Sequence, residues 1–112
     1  MKEIKAIIRP AKLPALREKL RSLLGFPGMT ISKVEGCSAP SVHSPSNLKE
    51  ELTDYTPKIR IEIVAPDEVC DSIVDTIVHN AQIGQIGDGL VWVTDIDRAV
   101  FLYKTVPGAP ER

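Results

Sequence analysis

Four short stretches of the chain alternate apolar with polar residues, the pattern of a β-strand that buries one face. The alternation is cleanest in residues 58–65, where isoleucines occupy every second position. We expect these isoleucines to face a core and the residues between them to point outward, namely Lys58, Arg60 and Glu62. The other predicted strands cover residues 3–8, 29–36 and 90–96.

Two longer stretches repeat apolar residues every three or four positions, which predicts amphipathic helices. The first covers residues 13–24, with Pro14 in its first turn and Gly25 after its end. The second covers residues 66–81 and begins with acidic side chains, which favour a helix N-terminus. The element order β-α-β-β-α-β is that of an α+β, ferredoxin-like (split βαβ) fold, with an antiparallel sheet and both helices on one face.

The sheet face away from the helices would lie uncovered in a single chain. Its predicted residues, Arg60 and Glu62 among them, are mixed rather than uniformly polar, so we expect other subunits to cover this face. Residues 98–106 predict a short extra strand, and residues 105–112 a loose C-terminal tail. The folded domain is therefore expected over residues 1–104.

Composition narrows the class of protein. The 112 residues suffice for one domain, and 14 basic against 15 acidic residues give a formal charge of −1. This balance argues against a nucleic-acid-binding protein, which normally carries a basic face. No apolar run approaches the roughly 20 residues of a membrane span, and no secretory signal is recognisable. Cys37 falls in a polar segment and Cys70 in an apolar helical pattern, so we expect no disulfide and a reduced, cytoplasmic protein.

Residues 37–56 form a long segment without a strong period, rich in Ser and Pro. Long irregular segments are uncommon in small domains, and they are often functional. A tolerated flexible insertion is the alternative interpretation.

Three glycines, Gly84, Gly87 and Gly89, follow the second predicted helix within six residues. Closely spaced glycines let main-chain N–H groups surround an anion, most often a phosphate. However, residues 81–93 contain no Lys or Arg, and a strand follows the glycines where a Walker or dinucleotide motif requires a helix. On its own, the segment also fits a plain helix–strand connection.

Four segments give the chain a resemblance to a known family: IKAIIRPAKL, GMTISKVEG, PKIRIEIVAPDE and IGDG. With the element order and the long segment between strands two and three, they resemble the PII signal-transduction family (nitrogen regulatory protein P-II) over residues 1–104. The resemblance implies a homotrimer with ligand clefts between subunits. It also implies that residues 37–56 form the T-loop, which docks onto membrane transporters or regulated enzymes. Typical members bind ATP or ADP, and many sense 2-oxoglutarate together with magnesium-ATP.

The resemblance also implies which residues line the ligand cleft. By this resemblance, Met29 and Thr30 line the base pocket, and Glu62 and Val64 form its wall. The start of the T-loop is implied for Gly36, Cys37 and Ser38. The phosphate-facing loop is implied for Gly87, Asp88 and Gly89, with Lys58 beside it.

The cationic side of that cleft departs from the family pattern. Leu90 stands where family members carry a lysine, and Phe101 and Tyr103 stand where they carry two arginines. Three lost charge-assisted hydrogen bonds amount to about 4–5 kcal/mol, on the order of a thousandfold in affinity. Arg98 or Lys104 could compensate from shifted positions.

We therefore expect a ligand with less negative charge than ATP. An adenine nucleotide with few phosphates (ADP or AMP), or a small anion such as bicarbonate held by backbone N–H groups, would suit the loop. Phe101 and Tyr103 would then line an apolar wall of the cleft. The alternative is that both rings only pack at a subunit contact and that no ligand binds.

The long loop departs from the family pattern as well. The tyrosine of the family's modification motif is missing, and its neighbourhood holds Glu50, Glu51 and Leu52. Pro40 stands near the position of the glutamine that helps to hold magnesium and 2-oxoglutarate. Uridylylation and 2-oxoglutarate sensing are therefore not expected.

Parts of the sequence also fit two other classes of function. Cys37 and His43, with Glu50 and Glu51, could gather around a metal ion, although their spacing matches no strong ligand motif. A metal-responsive protein linked to metal efflux is thus one alternative, and a ligand-free structural partner is another. Neither histidine has an evident nucleophile partner in sequence, so we do not expect an enzyme.

Overall fold

A computed structural model of the chain describes residues 1–37 and 55–110. Its strands are β1 (Lys2–Ile8), β2 (Thr30–Cys37), β3 (Tyr55–Ala65) and β4 (Leu90–Asp95). Its helices are α1 (Leu13–Arg21) and α2 (Asp67–Ala81), with short 3-10 turns at Pro10–Lys12 and Leu102–Thr105. None of the helices in the described residues is long and apolar enough to cross a membrane.

The four strands form one antiparallel sheet in the order β2-β3-β1-β4. The central strand β1 pairs with β3 on one side and β4 on the other, so that Ile4 lies opposite both Ile63 and Val93. This is the predicted α+β, ferredoxin-like arrangement, and it is confirmed.

The predicted alternation correctly identifies the strand residues that form the core. In β3 the isoleucines at positions 59, 61 and 63 are buried against the helices, as are Ile4, Ala6 and Ile8 of β1. The helices contribute Leu16 and Leu20 from α1 and Cys70, Ile73 and Ile77 from α2. Helix α1 is shorter than predicted: it ends at Arg21, and Leu24 is 95% exposed.

Two predictions about the edges of elements are wrong. Strand β2 extends to Cys37 and strand β3 begins at Tyr55, and these two residues pair with each other. Cys37, Tyr55 and Thr56, which were predicted to lie in the loop of 37–56, therefore belong to strands. The rest of that loop, residues 38–54, lies outside the described residues. The extra strand predicted over 98–106 does not form: Leu102–Thr105 is a 3-10 turn, in which the N–H of Lys104 donates to the carbonyl of Phe101 (3.0 Å), and the rest of the segment is irregular.

The sheet face opposite the helices carries paired charges. Arg60 and Glu62 form an ion pair (3.4 Å), and so do Lys5 and Glu3 (3.3 Å). The Nε atom of Arg60 is buried and has no hydrogen-bond partner among the described residues.

Candidate ligand site at the glycine loop

The loop between α2 and β4 is organised by the carboxylate of Asp88. Its Oδ2 atom accepts the main-chain N–H groups of Ile83 (3.0 Å), Gly84 (2.9 Å) and Gln85 (3.3 Å). These bonds, first that from Ile83, hold the pKa of Asp88 below its ordinary value of 3.8. Asp88 is therefore ionised at neutral pH, and its charge serves the loop itself.

Arg9 holds the same loop from the sheet side. Its Nη1 atom donates to Oδ1 of Asp88, and its Nη2 atom donates to the carbonyl of Ile86 (3.2 Å). No motif in the sequence predicts a role for Arg9. Its position follows from the antiparallel pairing of β1 with β4, which sets Ile7 opposite Leu90 and so brings the residues just after Ile7 next to the loop.

Gly89 is required by a close approach of two main chains. Its φ is +98°, and a Cβ atom there would lie 1.7 Å from the carbonyl oxygen of Ile7. No side chain fits, because the obstacle is the backbone of the central strand. The third glycine of the predicted motif thus sets the contact between loop and sheet.

Lys58 links the glycine loop to the end of β2. Its ammonium donates to the carbonyl of Gly87 (2.7 Å), and its stem passes Gly36 so closely that a Cβ there would lie 3.1 Å from Cγ of Lys58. Lys58 lies on the outward face of the sheet, as predicted, yet it is only 8% exposed. Alternation gave the correct sheet face, but the glycine loop covers that part of it.

These contacts surround an open cavity of about 320 Å³. Its lining comes from β1, β2, β3 and the glycine loop: Ile7, Gly36, Cys37, Lys58, Ile86, Gly87, Gly89 and Leu90. Five of the predicted ligand residues are therefore brought together: Gly36, Cys37, Lys58, Gly87 and Gly89. Lys58 is the one cation in this lining, and Leu90, 59% exposed, adds an apolar side chain.

Fewer main-chain donors remain than the glycine pattern suggests. Asp88 accepts the N–H groups of residues 83–85, and its own N–H donates to Gln85 (3.1 Å). Within the described parts of the chain, the N–H groups of Ile86 and Gly87 have no acceptor. Both residues line the cavity, and the carbonyl of Gly87 accepts the ammonium of Lys58 there.

The predicted base-pocket residues lie elsewhere on the chain. Thr30 pairs with Glu62, four positions along β3 from Lys58, which corresponds to about 13 Å of strand. Val64 lies farther along the same strand. Met29 lines a separate cavity of about 540 Å³ beside α1. One chain thus carries two groups of predicted residues that do not share a cavity.

The aromatic pair of the C-terminal segment does not line the 320 Å³ cavity of its own chain. The rings of Phe101 and Tyr103 lie with their centroids 6.4 Å apart at an angle of 51°. The ammonium of Lys104 stands 5.4 Å from the first centroid and 5.8 Å from the second. The prediction that these rings wall a ligand cleft stays a prediction.

Six residues of the sequence-based hypotheses cannot be placed. Ser38, Pro40 and His43 lie outside the described residues, as do Glu50, Glu51 and Leu52. Residues 1–37 and 55–110 contain no group of three His, Cys, Asp or Glu side chains arranged to hold a metal ion. The metal site at Cys37 and His43 therefore stays a prediction.

Comparison with known proteins adds an independent finding. The family model described as nitrogen regulatory protein P-II matches residues 1–105. The nitrogen regulatory protein P-II 1 of Escherichia coli (strain K12) is 44% identical over 101 residues, 89% of each chain. Proteins named nitrogen regulatory protein P-II from Klebsiella oxytoca and Haemophilus influenzae (strain Rd) are 43% and 41% identical, again over 89% of each chain.

Proposed function

The chain belongs to the nitrogen regulatory protein P-II family of signalling proteins, and on that premise we propose a specific regulatory role. It forms cytoplasmic homotrimers that bind a small metabolite at clefts between subunits. The metabolite is an adenine nucleotide with few phosphates or a small anion such as bicarbonate. Binding controls a partner protein, a membrane transporter or an enzyme, through the T-loop.

The cavity at the glycine loop is the observation that carries this proposal. It gathers residues from three distant parts of the sequence, represented by Gly36, Lys58 and Gly87. A buried ammonium, and main-chain N–H groups that have no acceptor in the part of the chain that the structure describes, make it suited to an anion. Its volume of about 320 Å³ falls in the range of small-molecule sites.

The balance of charge supports a ligand of low charge. Among residues 1–37 and 55–110, Arg9 near the loop is paired with Asp88, and Lys58 is the cation in the cavity lining. Leu90 puts an apolar group in that lining. A triphosphate would leave much of its charge without a partner, whereas a single phosphate or a bicarbonate ion matches one ammonium and two N–H groups.

Two features support assembly into trimers. The residues around Thr30 and Glu62 lie about 13 Å along the sheet from Lys58, so a shared cleft needs the second group from another copy. The sheet face opposite the helices is uncovered in one chain, and the buried Nε of Arg60 contacts the carboxylate of Glu62 there (3.4 Å) without a hydrogen bond among the described residues. Burial of this face against other copies would close the sheet from both sides.

The position of the cavity supports control through the T-loop. Gly36 and Cys37, at the end of β2, line the cavity, and residue 38 follows directly. A ligand in contact with these residues and with Gly87 would bind better to one conformation of the segment than to another. Such a difference in affinity is what shifts a conformational equilibrium.

Titration calorimetry on the full chain tests the proposal, with ATP, ADP, AMP, cyclic nucleotides and bicarbonate as ligands. We expect ADP, AMP or bicarbonate to bind and ATP to gain little from its third phosphate. Light scattering on the same sample should give the mass of a trimer. A monomer, or no heat with any of these ligands, would overturn the proposal.

A further inference from the structure

We propose that Arg9 is a positioning residue for the ligand cavity and that it acts through the main chain of the glycine loop. Arg9 itself is not among the residues that line the cavity. This inference rests on the proposed function, because it concerns the affinity of the same cavity. It assigns a role to a residue whose sequence context gave no sign of one.

Arg9 binds the peptide group between Ile86 and Gly87. Its carbonyl accepts Nη2 of Arg9 (3.2 Å), and its N–H, on Gly87, has no acceptor among the described residues. The described peptide bonds are trans, so the C=O and N–H of this group point in opposite directions. By holding the oxygen, Arg9 fixes the direction in which the N–H of Gly87 points.

The next peptide group is held in the same way. The carbonyl of Gly87 accepts the ammonium of Lys58 (2.7 Å), while the N–H of Asp88 donates to Gln85 (3.1 Å). Two consecutive carbonyls are thus bound by two cations, one that directly follows β1 and one in β3. A donor that binds a carbonyl also polarises the N–H of that peptide, which makes it a stronger partner for an anion.

Arg9 is well placed to hold the loop in position. It follows the central strand β1 directly, and its main chain is extended (φ −67°, ψ 137°), as Pro10 requires of the residue before it. Its side chain is 25% exposed and that of Asp88 is 22% exposed. The guanidinium therefore connects a rigid strand to a loop that has no strand or helix of its own.

The chemistry calls for an arginine rather than a cation in general. One guanidinium nitrogen serves the carboxylate of Asp88 and another serves the carbonyl of Ile86. A planar guanidinium spans two acceptors at fixed geometry, whereas a lysine ammonium is a single point of charge. Arg9→Lys should therefore keep the ion pair and lose the second bond.

The test is a titration of the full chain with ADP and, separately, with bicarbonate. The variants are Arg9→Gln, Arg9→Lys and the control Lys19→Gln, which removes an exposed cation of α1. Outer residues that orient metal ligands change affinity by about 10- to 100-fold when replaced. We expect Arg9→Gln to weaken binding by about ten-fold, Arg9→Lys to restore part of it, and Lys19→Gln to bind as the wild type does.

Two further readouts separate positioning from a general loss of structure. Thermal unfolding shows whether each variant remains folded. Amide NMR of the ligand-free protein should show the Gly87 N–H shifted in Arg9→Gln and partly returned in Arg9→Lys. If a folded Arg9→Gln binds ADP or bicarbonate as tightly as the wild type, the role of Arg9 is overturned and the proposed function stands. If the wild type binds neither probe, the proposed function fails, and the role of Arg9 fails with it.

Discussion

The ammonium of Lys58 and the carbonyl of Gly87 are joined by a 2.7 Å hydrogen bond that crosses from β3 to the glycine loop. Because Lys58 also packs against Gly36, one side chain contacts both walls of the cavity. A ligand that attracts this ammonium would therefore affect the contacts of Lys58 with the end of β2 and with the glycine loop at the same time.

Replacement of Lys58 by methionine tests this link. The variant keeps most of the stem and removes the charge, so an anion in the cavity loses a charge-assisted bond of about 1.5–3 kcal/mol. We expect affinity for ADP and bicarbonate to fall by about 10- to 100-fold, measured by calorimetry. Lys19→Met, on the exposed surface of α1, is the control. Equal affinity in both variants would contradict a ligand at Lys58.

Introduction of a cation at position 90 should change ligand preference. Leu90 is 59% exposed and lines the cavity, so Leu90→Lys adds an ammonium without opening the core. We expect affinity for ATP to rise by about ten-fold or more and affinity for AMP to rise less, since each added phosphate gains from the new charge. Leu24→Lys, at a residue 95% exposed beyond α1, is the matched control. A gain in the control as large as that in Leu90→Lys would point to a non-specific charge effect.

The close approach at Gly89 predicts a large loss of stability on substitution. In Gly89→Ala the new methyl group meets the carbonyl of Ile7, and the residue must also keep a positive φ. We expect the free energy of unfolding to fall by about 3 kcal/mol or more. Gly84→Ala is the control, because its φ is +82° but no atom lies within 4 Å of the added methyl group. The free energy of unfolding of Gly84→Ala should fall by only about 1–2 kcal/mol. Urea titration measures this quantity for both variants.

The two cysteines should react at different rates with an alkylating reagent. Cys37 is exposed and lines the cavity, whereas Cys70 is buried in α2, where burial raises the pKa of its thiol. We expect iodoacetamide to modify Cys37 first, and we expect a saturating ligand in the cavity to slow that reaction. Mass spectrometry of peptides distinguishes the two sites. Modification of Cys37 at one rate with and without a bound ligand would place that ligand elsewhere.

The lowered pKa of Asp88 predicts how the loop responds to acid. A carboxylate whose pKa is lowered on folding stabilises the fold above its ordinary value of 3.8 and loses that effect as the pH falls through the lowered value. The amide signals of Ile83, Gly84 and Gln85 should therefore stay constant from neutral pH to about pH 5 and shift only below about pH 4. The variant Asp88→Asn should lack this transition. A midpoint above 3.8 in the wild type would show that the carboxylate is not held as described.

Much of the fold follows from periodicity, because a buried strand or helix face leaves a direct mark on the sequence. The isoleucines of β3 and the leucine stripe of α1 are examples. Tertiary contacts to single polar residues leave no such mark. The burial of Lys58 depends on a loop folded from the other end of the chain, and the role of Arg9 depends on the β1–β4 pairing.

In the C-terminal segment the sequence pattern predicts an element that does not form. Its run of apolar and aromatic residues around Phe101 suggests a strand, but the chain turns there on a local hydrogen bond from Lys104. A strand needs a partner edge as well as a pattern, and the order of the sheet was not accessible from this stretch alone.

The junction of Gly89 with Ile7 also limits how this site can diverge. One residue inserted or deleted between Asp88 and Leu90 would shift the register of β4 against β1 and turn Trp92 toward the opposite side of the sheet. The length of this connection therefore cannot change without disturbing the sheet. New ligand preferences must arise by substitution of side chains, without insertions or deletions.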